Sequence, residues 1–190
     1  MKYPFAILFL LLLSVPAWAQ TTPYEVPEEA ETTDAGFTFT SKINGHSFSL
    51  DLECEPTYEQ QIEPTALGDV KSELNICEIF DDDEPTIYIT SIIHLVEGMV
   101  PPGREKVFLD SYLTGTATGM EGKLIEKEDV DFKDFLTSDT VIKVKLEGQT
   151  FYVHGRYMLI EGALYCLQVF NTEEKTSRSL KKLWDSFDYE

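Results

Sequence analysis

Few residues in this chain offer chemistry. Three histidines, His46, His94 and His154, fall on separate extended stretches with no H-E-x-x-H pattern and no close pair. A zinc centre needs three or four nitrogen, sulfur or carboxylate ligands converging on one point, and the spacing along this chain supplies no such set. His94 and His154 could face each other if their strands are neighbours, and with nearby carboxylates either could then serve a hydrolase. Nucleophilic catalysis has no visible starting point, since no G-x-S-x-G elbow is present. The run from Gly115 to Lys123 misses the spacing of a phosphate-binding loop, and Leu124 stands where a hydroxyl is needed. Acidic residues are too abundant for any one pair to mark a glycosidase-type site.

The cluster Asp81, Asp82, Asp83 and Glu84 is the candidate cation site. A hard cation such as calcium takes six to eight oxygens, and a four-acid turn between strands could supply several, although the twelve-residue calcium loop is absent. No cofactor is expected. Of the three cysteines, Cys54 and Cys77 lie in neighbouring polar-to-strand stretches and are expected to form a disulfide. Cys166 sits in an apolar run, where a free thiol behaves as a small hydrophobe.

The elements that would hold these residues begin with an export signal. Lys2 is its positive end, an apolar run extends from Phe5 to Val15, and Ala17-Trp18-Ala19 is a small-x-small cleavage site, so residues 1–19 read as a signal peptide cut between Ala19 and Gln20. The run is too short and too interrupted, by Ser14 and Pro16, to remain as a membrane span. Residues 20–35 are acidic and carry Pro23 and Pro27, which reads as a disordered linker. Residues 36–190 are then a single domain in a secreted or periplasmic space, with no membrane contact after cleavage.

Within that domain, Phe37 to Ile43 and His46 to Leu52 alternate apolar with polar around Asn44-Gly45, the pattern of a two-residue hairpin. Further strands are expected at 74–80, 86–95, 123–132, 140–147, 151–160 and 163–170, the last three as an antiparallel meander turning at Gly148 and Gly162. Leu109, Tyr112, Leu113, Thr116 and Ala117 recur at three and four, a helical stripe that Gly119 can end. A second helix is expected over 173–184, capped by Asn171, with Arg178, Lys181 and Lys182 near its end complementing the helix dipole. The fold class is therefore α+β, with an antiparallel sheet of about six or seven strands covered by two helices.

The stretch from Ile142 to Asp188 resembles the PsbP and Mog-like family of α/β/α sandwiches. The likeness lies in Gly155-Arg156-Tyr157, the turn at Gly162, Tyr165-Cys166-Leu167-Gln168-Val169, and a helix closing on Ser186-Phe187. It implies an α/β/α sandwich and binding or assembly work, and it carries over no functional residue.

Signal removal deletes one of the 15 basic residues and none of the 34 acidic ones, leaving a formal charge of −20. Such a field repels nucleic acid and anionic membranes and favours a basic protein partner or divalent cations. The sequence leads to an exported, non-catalytic accessory or protein-binding module. The alternatives are the histidine hydrolase and an immunity-type neutraliser of a basic exported protein. It does not fix an oligomeric state.

Overall fold

Residues 31–33, 36–43, 46–81, 84–175 and 178–189 are described by the computed structural model. The expected signal at 1–19, its Ala19/Gln20 cleavage point, most of the 20–35 linker and the Asn44-Gly45 turn lie outside these residues. Three residues of the linker segment, Glu31–Thr33, form a short strand, β1. β2 (Gly36–Ile43) and β3 (His46–Leu52) follow, paired antiparallel with Ile43 opposite His46.

The chain then builds one large sheet. Its strands are β4 (Thr57–Thr65), β5 (Gly68–Asp81), β6 (Glu84–His94), β7 (Lys123–Phe132), β8 (Phe135–Leu146), β9 (Gln149–Ile160) and β10 (Ala163–Asn171). They lie in the order β4-β5-β6-β10-β9-β8-β7, with every neighbouring pair antiparallel. Helix α1 (Glu105–Gly119) interrupts the series between β6 and β7. Helix α2 (Arg178–Ser186) and strand β11 (Asp188–Tyr189) end it, and β11 pairs with β3 to make a second sheet in the order β1-β2-β3-β11.

The α/β/α sandwich expected from the sequence does not form. The chain is mostly β, with two short helices among the described residues and a second sheet where a helical layer was expected. Length explains part of this. Nine residues of α2 make a rod roughly 14 Å long, whereas a nine-residue strand such as β10 runs about 30 Å, so α2 cannot cover a sheet face alone. The β2–β3 hairpin supplies the missing cover. Phe48, Leu50 and Leu52 alternate along β3, are almost wholly buried, and pack with Leu180, Leu183, Trp184 and Phe187 against Tyr88, Met158, Tyr165, Leu167 and Val169 of the large sheet. The Phe48 ring meets Tyr165 edge-on at 5.4 Å and lies against Phe187 at 6.1 Å.

The opposite face carries α1. Leu109, Leu113 and Ala117, the expected stripe, are buried against two patches of the sheet. Leu109 and Leu113 belong to the patch of Tyr157, Leu164 and Cys166, while Ala117 belongs to the patch of Ile87, Ile89, Ile142, Val144, Val153 and Phe170. The Tyr157 ring lies so close over Gly155 that a Cβ there would sit 2.5 Å from Tyr157 Cε2. That placement carries the phenol oxygen to Gln168, the residue opposite Gly155 on β10, whose Nε2 donates to it at 2.7 Å. β8, β9 and β10 form the expected meander, with Glu147-Gly148 and Glu161-Gly162 at positive φ in its two turns. Cys54 and Cys77 are joined by the expected disulfide, with Cα atoms 5.6 Å apart, which ties the chain before β4 to the middle of β5. No helix among the described residues is long and apolar enough to cross a membrane.

Candidate functional site

A pocket of about 360 Å³ opens at one end of the large sheet. Three separate stretches build it. After β6 the chain continues through Leu95, whose N–H donates to the Gly162 carbonyl at 2.9 Å and so holds this loop against the β9–β10 turn. The loop folds on itself through Met99 N–H to Val96 O at 2.9 Å and Arg104 N–H to Pro101 O at 3.0 Å. Gly103 N–H then donates to Glu105 Oε1 at 3.0 Å, fixing that carboxylate at the start of α1. Leu95, Val96, Val100, Leu136 and Leu159 give the pocket apolar walls, while Glu97, Glu105 and Glu161 are its charged residues.

Among the described residues, no lysine, arginine or histidine lines it. The backbone N–H groups of Glu105 itself and of Gly103 hold the Glu105 carboxyl below the ordinary range, so it stays ionised. Glu161 accepts the Tyr189 hydroxyl, whose pKa is raised by burial first and then by the charge and hydrogen bond of Glu161. Apolar walls under three carboxylates suit a cation on an aliphatic stem, the shape of a lysine or arginine side chain. No group of three or more His, Cys, Asp or Glu converges closely enough to hold a metal ion among the described residues.

The two histidines proposed for hydrolysis do not meet. His94 stands opposite Ala163 and His154 opposite Val169 on β10, six positions apart along one strand, which is roughly 20 Å. His94 Nε2 lies 3.0 Å from Glu73 Oε1, and Lys71 Nζ reaches the same oxygen at 2.8 Å. Burial raises the Glu73 pKa, but the hydrogen bonds and charges of His94 and Lys71 outweigh it, and the net shift is downward. His154 is fully buried, and its Nε2 donates to the Glu173 carbonyl at 2.8 Å, leaving Nδ1 without a partner. The His46 side chain lies outside the description.

For the acidic turn, Asp82 and Asp83 lie outside the described residues. Asp81 pairs with Glu84 where β5 meets β6, with neither side chain described. Cys166 is buried, 3.7 Å from the Tyr112 hydroxyl, and burial pushes its thiol up to about 11.

Sequence reasoning missed a polar row under the small sheet and α2. Asn75, Thr90, Leu167, Arg156 and Asp139 stand side by side across five strands. Arg156 grips Asp139 through two bonds of 2.8 Å and stacks beneath Trp184 at 4.9 Å and Phe132 at 5.7 Å. The side-chain polar atoms of Asn75 and Thr90 are buried without partners. The single signal for this row was polar residues inside otherwise apolar strands. Glu97, Glu105 and Glu161 left none, being ordinary acids in three distant segments.

No family model and no curated protein matches this chain. Among solved structures it is similar to PA94 from Pseudomonas aeruginosa, a protein of unknown function, at 10% identity and a TM-score of 0.40, over 60% of this chain and 83% of that one.

Proposed function

We propose that this chain is an exported, non-catalytic binding module for a basic protein partner. The observation that carries the reading is the pocket in which Glu97, Glu105 and Glu161 surround apolar walls with no basic side chain among them. The charge of −20 left after signal removal draws such a partner from a distance. The Cys54–Cys77 bridge is consistent with an extracellular location. An immunity-type neutraliser is the form this function takes if the partner is a toxin or an enzyme.

The test is capture from the producing cell's extracytoplasmic fraction, by the mature chain and by the triple variant Glu97→Gln/Glu105→Gln/Glu161→Gln. The expected result is a basic protein retained by the first at low salt, released near 0.5 M salt, and held about tenfold less by the second. Retention that is equal on both, or turnover in a hydrolase screen abolished by His94→Ala or His154→Ala, would overturn the reading.

A further inference from the structure

The large sheet ends in two very different edges. β7 carries Lys123 and Lys127, a register break between Leu124 and Glu126, and ion pairs to α1 through Lys106–Asp129 and Lys127–Asp110. These are devices that keep a sheet edge from recruiting another strand. β4, at the other edge, has no lysine, no register break and no neighbouring strand on its outer side among the described residues. Of the three large hydrophobic side chains that stand exposed among the described residues, two are here: Ile62 at 49% on β4 and Leu67 at 57% in the turn that follows.

Pro64 fixes which backbone groups face outward. Proline has no N–H, and within a sheet it sits where that missing donor points away from the neighbouring strand. Pro64 is part of the β4–β5 ladder opposite Asp69. By the alternation of antiparallel pairing, Ile62 and Gln60 turn their N–H and C=O outward as well. The side chains divide by the same parity. Gln60 and Ile62 lie on one face, whereas Glu59, Gln61 and Glu63 lie on the other.

We propose that β4 is a strand-addition site for an extended, antiparallel segment of the partner, about five residues long, alternating lysine or arginine with apolar residues. Its apolar side chains lie beside Ile62 and its basic ones beside Glu59 and Glu63. Main-chain bonds give the affinity and the alternation gives the specificity. A second copy of this chain fits worse in the register that sets the outward groups of Gln60 against those of Ile62. In the register centred on Gln61, self-pairing sets Glu59 directly opposite Glu63 twice over, and like charges in that position destabilise. The inference rests on the protein-binding reading but uses a surface separate from the three pocket carboxylates.

The probe is a labelled peptide of four Lys-Val repeats, its binding to the mature chain followed by fluorescence anisotropy. In the antiparallel pairing the valine nitrogens face β4 and the lysine nitrogens face away. N-methylation of the valines should therefore abolish binding, while N-methylation of the lysines leaves most of it. Ile62→Pro removes one outward donor and no bond to β5, and should weaken binding about tenfold. Glu59→Lys/Glu63→Lys should exchange the preference for a peptide of four Glu-Val repeats. Binding that ignores which nitrogens are methylated would be charge adsorption, and would overturn the site. A concentration-dependent dimer abolished by Ile62→Pro would do the same, because the occupant would then be a second copy. The pocket triple variant should keep the same dependence on which nitrogens are methylated even where its affinity falls, so a failure here and a failure of the pocket are read separately.

Discussion

Reduction of the Cys54–Cys77 bridge offers a stability change that can be worked out in advance. The two cysteines are 23 positions apart. Closing a loop of that size restricts the unfolded chain by roughly 3 kcal/mol at room temperature. Reduction is a cleaner perturbation than replacement, because Cys77 is buried in the core between the sheets and truncating it would add a cavity to the entropy. With a urea dependence of about 2 kcal/mol per molar, the unfolding midpoint should fall by about 1.5 M when the bridge is opened. The change should be uneven across the molecule. The bridge clamps the open end of the β4–β5 hairpin just outside the Thr57–Ile76 pair, so amides near Thr57 should lose hydrogen-exchange protection before those near Thr65.

Thiol counting gives the companion measurement. Unreduced protein should show one thiol on unfolding, that of Cys166, and almost none while folded, since this thiol is buried and its pKa is pushed up to about 11. Three thiols in protein isolated without reductant, or a midpoint that reduction leaves in place, would refute both the bridge and the stability argument built on it.

Two further perturbations read different parts of the fold. The depressed Glu73 pKa stabilises the folded chain fully above the carboxyl's unfolded value, and that contribution is lost as pH falls through the lower folded value. Urea midpoints between pH 7 and pH 3 should therefore fall more steeply for the wild type than for Glu73→Gln, and parallel profiles would count against the Glu73–His94–Lys71 network. Gly155→Ala places a methyl group against the fully buried Tyr157 ring. It should cost about 1–3 kcal/mol in chemical denaturation, and an unchanged midpoint would mean that the ring has room to move.

How much was legible follows from which residues have a buried face. β6 and β8 announce themselves through alternation, as in Ile87, Ile89 and Ile93 or Ile142 and Val144, whereas β10 is covered on both faces and reads as a short, nearly continuous apolar run. β4 does not. Its residues are at most half-buried on either side, so Tyr58, Gln60 and Ile62 alternate with Glu59, Gln61 and Glu63 without a hydrophobic period, and Pro64 reads as a break. The β2–β3 hairpin was legible as a hairpin, yet alternation says only that one face is covered, not which layer covers it. That gap is where the α/β/α expectation failed. The sequence pattern makes Asn171 the cap of a helix beginning at 173, but its Oδ1 accepts the Glu173 N–H at 3.0 Å outside any helix, and the described helix starts at Arg178. The pocket carboxylates were beyond reach because only the pairing of β6 with β10 brings Glu97 near Glu161.

Sheet order also explains why the two proposed contacts belong to one face of action. Gly68 closes the β4–β5 turn at φ +132°, and a Cβ there would lie 3.3 Å from Val96 Cγ1, so the hairpin tip abuts a residue that lines the pocket. An extended segment paired along β4 must leave the ladder at Pro64, where no donor remains to continue it, and it does so beside that wall. In this proposal a basic side chain a few residues farther on would lie on the side of Val96, whose neighbour Glu97 lines the pocket. Contacts joined by so short a tether act at high effective concentration, and two individually weak contacts can together hold a partner firmly. In this proposal the strongly acidic charge would guide encounter, while the main-chain parity set by Pro64 and the apolar pocket walls would decide which basic segments stay.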